Sequence, residues 1–172
     1  MSESRSHEEL AIELGAALRA RGWLCATAES CTGGLVAAAI TDVAGSSEWF
    51  DRGYVTYSNE AKIAMLAVPP ATLALHGAVS EPTARAMAIG ALAQGRAHAA
   101  VAVTGIAGPG GAVPGKPVGT VCFAWAARDG EARVGTRHLA GERAAVRQAS
   151  VGIALRGLIA LAKPGGDAPR RP

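Results

Sequence analysis

Ala99 to Val103 is a continuous apolar run that empties into Thr104-Gly105-Ile106-Ala107-Gly108-Pro109-Gly110-Gly111. A strand with one wet face alternates apolar and polar residues, whereas a strand without a polar position is covered on both faces. The run therefore calls for a sheet sandwiched between layers of helix. The flanking patterns supply those layers. Ser6-His7-Glu8-Glu9 has capping-box spacing, and Leu10, Leu14, Ala17 and Leu18 recur at helical intervals until Gly22 stops them. Trp23 to Ala28 reads as a short buried strand, and Gly33 to Ala44 as an alanine-rich helix.

Glu48 to Tyr57 carries a β-favouring set, and Ser58 is placed to cap a helix from Asn59 to Ala67 before Pro69 and Pro70 interrupt it. Ser80 caps the next helix, whose stripe is Ala84, Met87, Ala88, Ala91 and Leu92, ending near Gly95. Val118 to Ala127 and Glu131 to Leu139 bracket Asp129-Gly130, a hairpin signal, so part of the sheet is antiparallel. A last long helix spans Glu142 to Ala162. The expected fold is α/β: a layered α/β/α sandwich with a mixed central sheet and helices on both faces. Residues 1–163 form one domain in this reading, and Pro164 to Pro172 has the composition of a disordered tail.

With 49% hydrophobic but only 4% aromatic residues and 22 glycines, the core must be built from small and branched side chains. The net charge of +3 comes without a basic run interleaved with aromatics, so nucleic acid is not the expected partner and a small anionic ligand fits as well. Cys25, Cys31 and Cys122 make no CxxC pair, which argues against a disulfide framework and a thiolate metal site. The polar amino terminus and the Gly and Pro breaks in longer apolar stretches point to a cytoplasmic protein without a membrane association.

Chemistry concentrates at Thr27-Ala28-Glu29-Ser30-Cys31-Thr32-Gly33-Gly34, where a strand turns into a helix through hydroxyl, thiol and glycine residues. Ser30 there is either a nucleophile facing backbone amides or a helix cap. Cys31 is a rival nucleophile or a buried inert thiol. A serine needs a base; His7, His76 and His138 are poorly placed, and His98 is the least remote of the four histidines. Of the three lysines, Lys62, set among Ala61, Ile63 and Ala64, is the one expected to be partly buried, which lowers an amine's pKa. Tyr57 either reaches the same site or packs at the sheet edge. The Thr104–Gly111 loop lacks both the Walker pattern and G-x-G-x-x-G, yet can present amides to an anion or simply cover the sheet edge. Arg143 and Arg147, one turn apart at the start of the last helix, face either an anion or an acidic neighbour.

Five ordered segments carry a family resemblance: Ala28-Glu29-Ser30-Cys31-Thr32-Gly33-Gly34, Gly53 to Lys62, Gly77-Ala78-Val79-Ser80-Glu81, Thr104 to Gly111, and Gly141-Glu142-Arg143. Together they resemble the CinA carboxy-terminal domain family over Glu8 to Ala162. The resemblance implies a nicotinamide-nucleotide amidase that converts nicotinamide mononucleotide to nicotinic acid mononucleotide and ammonia in pyridine nucleotide salvage. It implies a serine–lysine mechanism carried by Ser30 and Lys62, with no metal and no cofactor, and a homo-oligomer. Tyr57, Thr104 and Arg143 match supporting or ligand-binding positions; Glu142 stands where Asp often precedes that arginine. The nucleotide pyrophosphatase domain of larger relatives is not expected. Amides at Thr32, Gly33 and Gly34 are the expected oxyanion donors, and Thr104, Gly105, Gly108 and Gly110 with Arg143 the expected grip on the nucleotide phosphate. The alternative is a non-catalytic nucleotide-sensing or partner-binding domain using the same pocket.

Overall fold

The structure, a computed structural model, describes residues 5–164. The first helix, α1 (His7–Arg21), opens with the expected capping box between Ser6 and Glu9 and closes at Gly22, whose left-handed φ of 63° lets its N–H return to Arg19 and Leu18. It leads into β1 (Cys25–Glu29), α2 (Leu35–Thr41) and β2 (Phe50–Val55). Then come α3 (Asn59–Leu66), α4 (Pro70–His76), α5 (Glu81–Ala93) and β3 (Ala99–Gly105). The last elements among the described residues are the hairpin β4 (Thr120–Ala127) and β5 (Arg133–His138), and α6 (Arg143–Ala162).

The five strands lie in the order β2-β1-β3-β4-β5. The first three are parallel and the hairpin antiparallel, giving the mixed sheet that the sequence calls for. Side-chain alternation along β3 divides the core. Ala99, Val101 and Val103 face α1, α2 and α6 with Leu10, Leu14, Val36, Phe123 and Leu155, whereas Ala100 and Ala102 face α5 with Met87, Ala88 and Ala91. The second face is nearly all alanine, so α5 comes close to the sheet. α3 in turn comes close to α5: a Cβ at Gly90 would lie 2.0 Å from the Leu66 carbonyl oxygen. α6 is long and apolar enough to cross a bilayer, yet Val146, Val151, Leu155 and Leu158 are buried in this core.

Three local expectations change. α2 begins at Leu35 rather than Gly33, because Gly33 and Gly34 adopt left-handed φ values of 57° and 100° that no helix interior allows, and it ends at Thr41 rather than Ala44. Ser46–Glu48 is a turn of 3-10 helix, and β2 stops at Val55, leaving Tyr57 beyond the sheet. Pro69 and Pro70 do interrupt a helix, but Pro70 also starts α4, since a proline in the first turn loses no intrahelical hydrogen bond. His76 is the last residue of that helix. The expected tail from Pro164 lies, beyond that residue, outside the described region.

Candidate active site

β1 sits between β2 and β3 within the parallel part of the sheet, and the chain leaves its carboxyl end towards α2, on the face opposite α5. The crevice outside the carboxyl ends of such strands is where open α/β sheets receive ligands. Ser30 is the first residue beyond β1, anchored by its N–H to the Val103 carbonyl of β3 at 2.9 Å. Lys62 comes from α3, which Ser58 caps by accepting from the Ala61 N–H at 3.0 Å. Helical side chains lean towards their own N-terminus, which carries the Lys62 amine back over the strand ends.

There Lys62 Nζ lies 3.1 Å from Ser30 Oγ and donates to the Thr56 carbonyl at 2.8 Å, with the Tyr57 carbonyl at 3.5 Å. Ser30 is 8% exposed and Lys62 1%. Burial pushes the lysine pKa below its ordinary value, against a smaller opposing influence from Cys31. No ion pair among the described residues includes Lys62, Arg143 or Arg147. An amine held by carbonyls and a hydroxyl, without a carboxylate in salt-bridge range, is poised to be neutral more readily than a surface lysine.

The rival groups are elsewhere or inert. Burial raises the Cys31 thiol to about 11, away from the thiolate a nucleophile requires. His98 accepts from the Leu24 N–H and stacks on Trp23, while His138 lies beside Thr120.

The turn after Ser30 is held from two sides by residues to which the sequence reading gave no such part. Glu29, fully buried at the end of β1, accepts from the N–H groups of Gly34, Val36 and Ala37 and from the Thr27 hydroxyl. A carboxylate in a fully buried strand was the available signal, because such a group demands donors. From α6, Arg147 donates through Nε to the Cys31 carbonyl at 3.1 Å and through Nη2 to the Thr32 carbonyl at 3.3 Å. Arg147 thus faces carbonyls, not an acidic neighbour.

This arrangement narrows the expected oxyanion donors. The Gly33 N–H donates to the Ser30 carbonyl and the Gly34 N–H to Glu29, so both are committed to the fold. The Thr32 N–H has no acceptor among the described residues, and the Thr32 hydroxyl is buried without a partner.

The glycine-rich loop divides similarly. Thr104 donates its hydroxyl to the Ala78 carbonyl at 2.8 Å, tying β3 to the segment before α5. Gly105 leaves room for the neighbouring strand, since a Cβ would lie 2.9 Å from the Thr120 carbonyl oxygen. Gly108 presents its carbonyl to Arg143 Nη1 at 2.8 Å, and the space above Gly110 is open. Arg143 Nη2 also donates to the Tyr57 hydroxyl at 3.1 Å, so one guanidinium joins the loop to the exposed tyrosine beside Lys62. Ser30, Lys62, Tyr57 and Arg143 therefore converge, whereas Thr104, Gly105, Gly33 and Gly34 have defined work in the scaffold.

The family model described as the CinA C-terminal domain matches residues 7–162. The chain is 56% identical over 152 residues, 88% of its length and 92% of the relative's, to a protein of Enterobacter agglomerans named nicotinamide-nucleotide amidohydrolase PncC. It is 55% identical over 150 residues to the protein of that name from Escherichia coli, covering 87% of this chain and 91% of the relative. Among solved structures, the competence/damage inducible protein CihA from Agrobacterium tumefaciens superimposes with a TM-score of 0.88 at 50% identity, over 94% of this chain and 99% of that one.

Proposed function

The chain belongs to the CinA C-terminal domain family, and from that premise we propose that it is a nicotinamide-nucleotide amidase, hydrolysing nicotinamide mononucleotide to nicotinic acid mononucleotide and ammonia in pyridine nucleotide salvage. The observation that carries the reading is the buried Lys62 amine 3.1 Å from the Ser30 hydroxyl at the carboxyl end of β1. An aliphatic hydroxyl is a poor nucleophile until a base takes its proton.

In this reading neutral Lys62 accepts that proton as Ser30 Oγ attacks the carboxamide carbon, and the Thr32 N–H meets the developing oxyanion. The lysine ammonium then protonates the amide nitrogen, the C–N bond breaks, and ammonia leaves an ester on Ser30. Water loses a proton to Lys62 and attacks the ester. The carboxylate departs and the proton returns to Ser30 Oγ. Arg143, with no carboxylate partner among the described residues, is the cation that receives the nucleotide phosphate, with Tyr57 and the open loop around Gly110 beside it.

The test is to incubate the purified chain with nicotinamide mononucleotide and follow ammonia and the acid product. Ser30→Ala is expected to lose at least about a thousandfold in kcat. Retained turnover refutes the nucleophile, and saturable binding by the native chain without ammonia release favours the sensing domain instead. The three buried free cysteines suit a cytoplasmic setting, and exposed Val55, Tyr57, Ile63 and Met65 suit a homo-oligomer, which sedimentation reads directly.

A further inference from the structure

We propose that Arg147 is a positioning residue of this reaction, acting through the Cys31–Thr32 peptide to aim and polarise the Thr32 N–H at the oxyanion. The proposal rests on the reading of Ser30 as nucleophile. Two arginines stand one helical turn apart on α6, and they have separate work. Arg143 reaches the Gly108 carbonyl and the Tyr57 hydroxyl at the rim of the site, whereas Arg147 binds two consecutive carbonyls of the turn after Ser30.

The peptide plane makes the second contact chemically informative. The carbonyl of Cys31 and the N–H of Thr32 belong to one rigid trans unit and point in opposite directions. A guanidinium on the oxygen therefore fixes the N–H pointing away from α6. It also draws electron density along the amide, because hydrogen bonds in series strengthen one another and those to charged donors are the stronger kind.

The surrounding bonds narrow the choice: in this turn only the N–H groups of Cys31 and Thr32 lack an acceptor among the described residues, and Arg147 acts on the peptide that carries the second. The Gly33 N–H is committed to the Ser30 carbonyl, the Leu35 N–H to the Thr32 carbonyl, and the N–H groups of Gly34, Val36 and Ala37 to Glu29. The Glu29 carboxylate thus holds the far end of the turn by its amides, while Arg147 holds the near end by its carbonyls. Oxyanion stabilisation depends on donors fixed before the charge appears, since a donor that must reorient gives back much of what it contributes.

A neutral side chain at position 147 leaves the Thr32 N–H present but neither aimed nor polarised. Arg147→Met is expected to lower kcat about ten- to a hundredfold, below the full loss for deleting a donor, with KM for nicotinamide mononucleotide unchanged within about twofold. Arg147→Lys, a cation with one donor point in place of a planar fork, is expected to fall between Met and the native residue.

A second readout uses pyridine-3-boronic acid. Ser30 Oγ adds to boron, its proton passes to Lys62, and the resulting tetrahedral boronate places an oxygen where the oxyanion forms. Its affinity is expected to fall in parallel with kcat across the native chain, Arg147→Lys and Arg147→Met, while the affinity for the planar product, nicotinic acid mononucleotide, stays constant. Unchanged kcat and boronate affinity in both variants overturn the proposal. So does a parallel rise in KM and in the product's Kd with kcat intact, which would make Arg147 a phosphate ligand. If Arg147→Met does not fold, the lysine variant decides on the same criteria. Boronate binding that survives Ser30→Ala counts instead against the nucleophile on which the proposal rests.

Discussion

Glu29 offers the most direct quantitative test of how the turn after Ser30 is built. Its carboxylate is the acceptor for three backbone N–H groups, at 3.2 Å from Gly34, 2.9 Å from Val36 and 3.0 Å from Ala37, and for the Thr27 hydroxyl at 3.2 Å. A hydrogen bond to a charged group contributes about 1.5–3 kcal/mol. The Val36 and Thr27 bonds are buried, so Glu29→Ala loses both in full, whereas water recovers roughly half of the partly exposed Gly34 and Ala37 bonds. The sum is about 4.5–9 kcal/mol, a large share of a domain's total stability. At about 2–4 °C per kcal/mol for a chain of this size, the melting temperature falls by about 9–36 °C. Glu29→Gln keeps one carbonyl oxygen for Gly34 and Val36 and turns an amide towards Ala37 and Thr27. The threonine hydroxyl can rotate to accept, which confines the loss to the Ala37 bond, about 1–3 kcal/mol. Urea unfolding followed by circular dichroism measures both variants, with ammonia release assayed alongside. A Glu29→Ala chain within 1 kcal/mol of the native one, or a Gln variant as damaged as the Ala variant, refutes the capping argument.

Three further outcomes are expected. Because burial lowers the Lys62 pKa, kcat/KM rises with pH along a limb whose midpoint lies below 10.5, and a midpoint at or above that value counts against a neutral lysine base. The unfolded chain keeps the lysine proton up to about 10.4, so the associated stability is fully present above that pH and is lost as pH falls through the lowered folded value. Lys62→Met, compared by urea unfolding across pH, should remove this slope. Cys31→Ala should retain ammonia release, and the native Cys31 should resist alkylation at neutral pH, its thiol being pushed up to about 11; a dead Cys31→Ala beside an active Ser30→Ala would reverse the assignment. Gly90→Ala places a methyl 2.0 Å from the Leu66 carbonyl and must displace α3 together with Lys62, costing about 1–3 kcal/mol or more in thermal unfolding; an unchanged melting temperature would show that the α3–α5 contact yields freely.

Much of the scaffold was legible in the chain because its signals are local. The Ser6–Glu9 capping box, the Gly22 stop, the Ser58 and Ser80 caps and the hairpin at Asp129-Gly130 all depend on residues within a few positions of one another. The start of α2 was less legible: Gly33 and Gly34 follow small polar residues that suit a first helical turn, and only the Glu29 carboxylate beneath them explains why the helix waits until Leu35. α4 escaped for a similar reason, since Pro69 and Pro70 are as consistent with a break as with a fresh start.

At the site, the ordered motifs and the resemblance they carry single out Ser30, Lys62, Tyr57 and Arg143, and the fold brings these four side chains together. What the glycines do was open until the fold was known. An N–H is a donor in every sequence, but whether it faces a ligand or a neighbouring carbonyl depends on contacts between residues far apart in the chain. Those contacts commit Gly33 and Gly34 to the turn, turn Arg147 towards the Cys31 and Thr32 carbonyls, and set the Lys62 amine against the Ser30 hydroxyl. The sequence alone determined which side chains and layers this protein has to work with; the tertiary structure decided which hydrogen-bonding groups are left over, because only packing across the sheet consumes the rest.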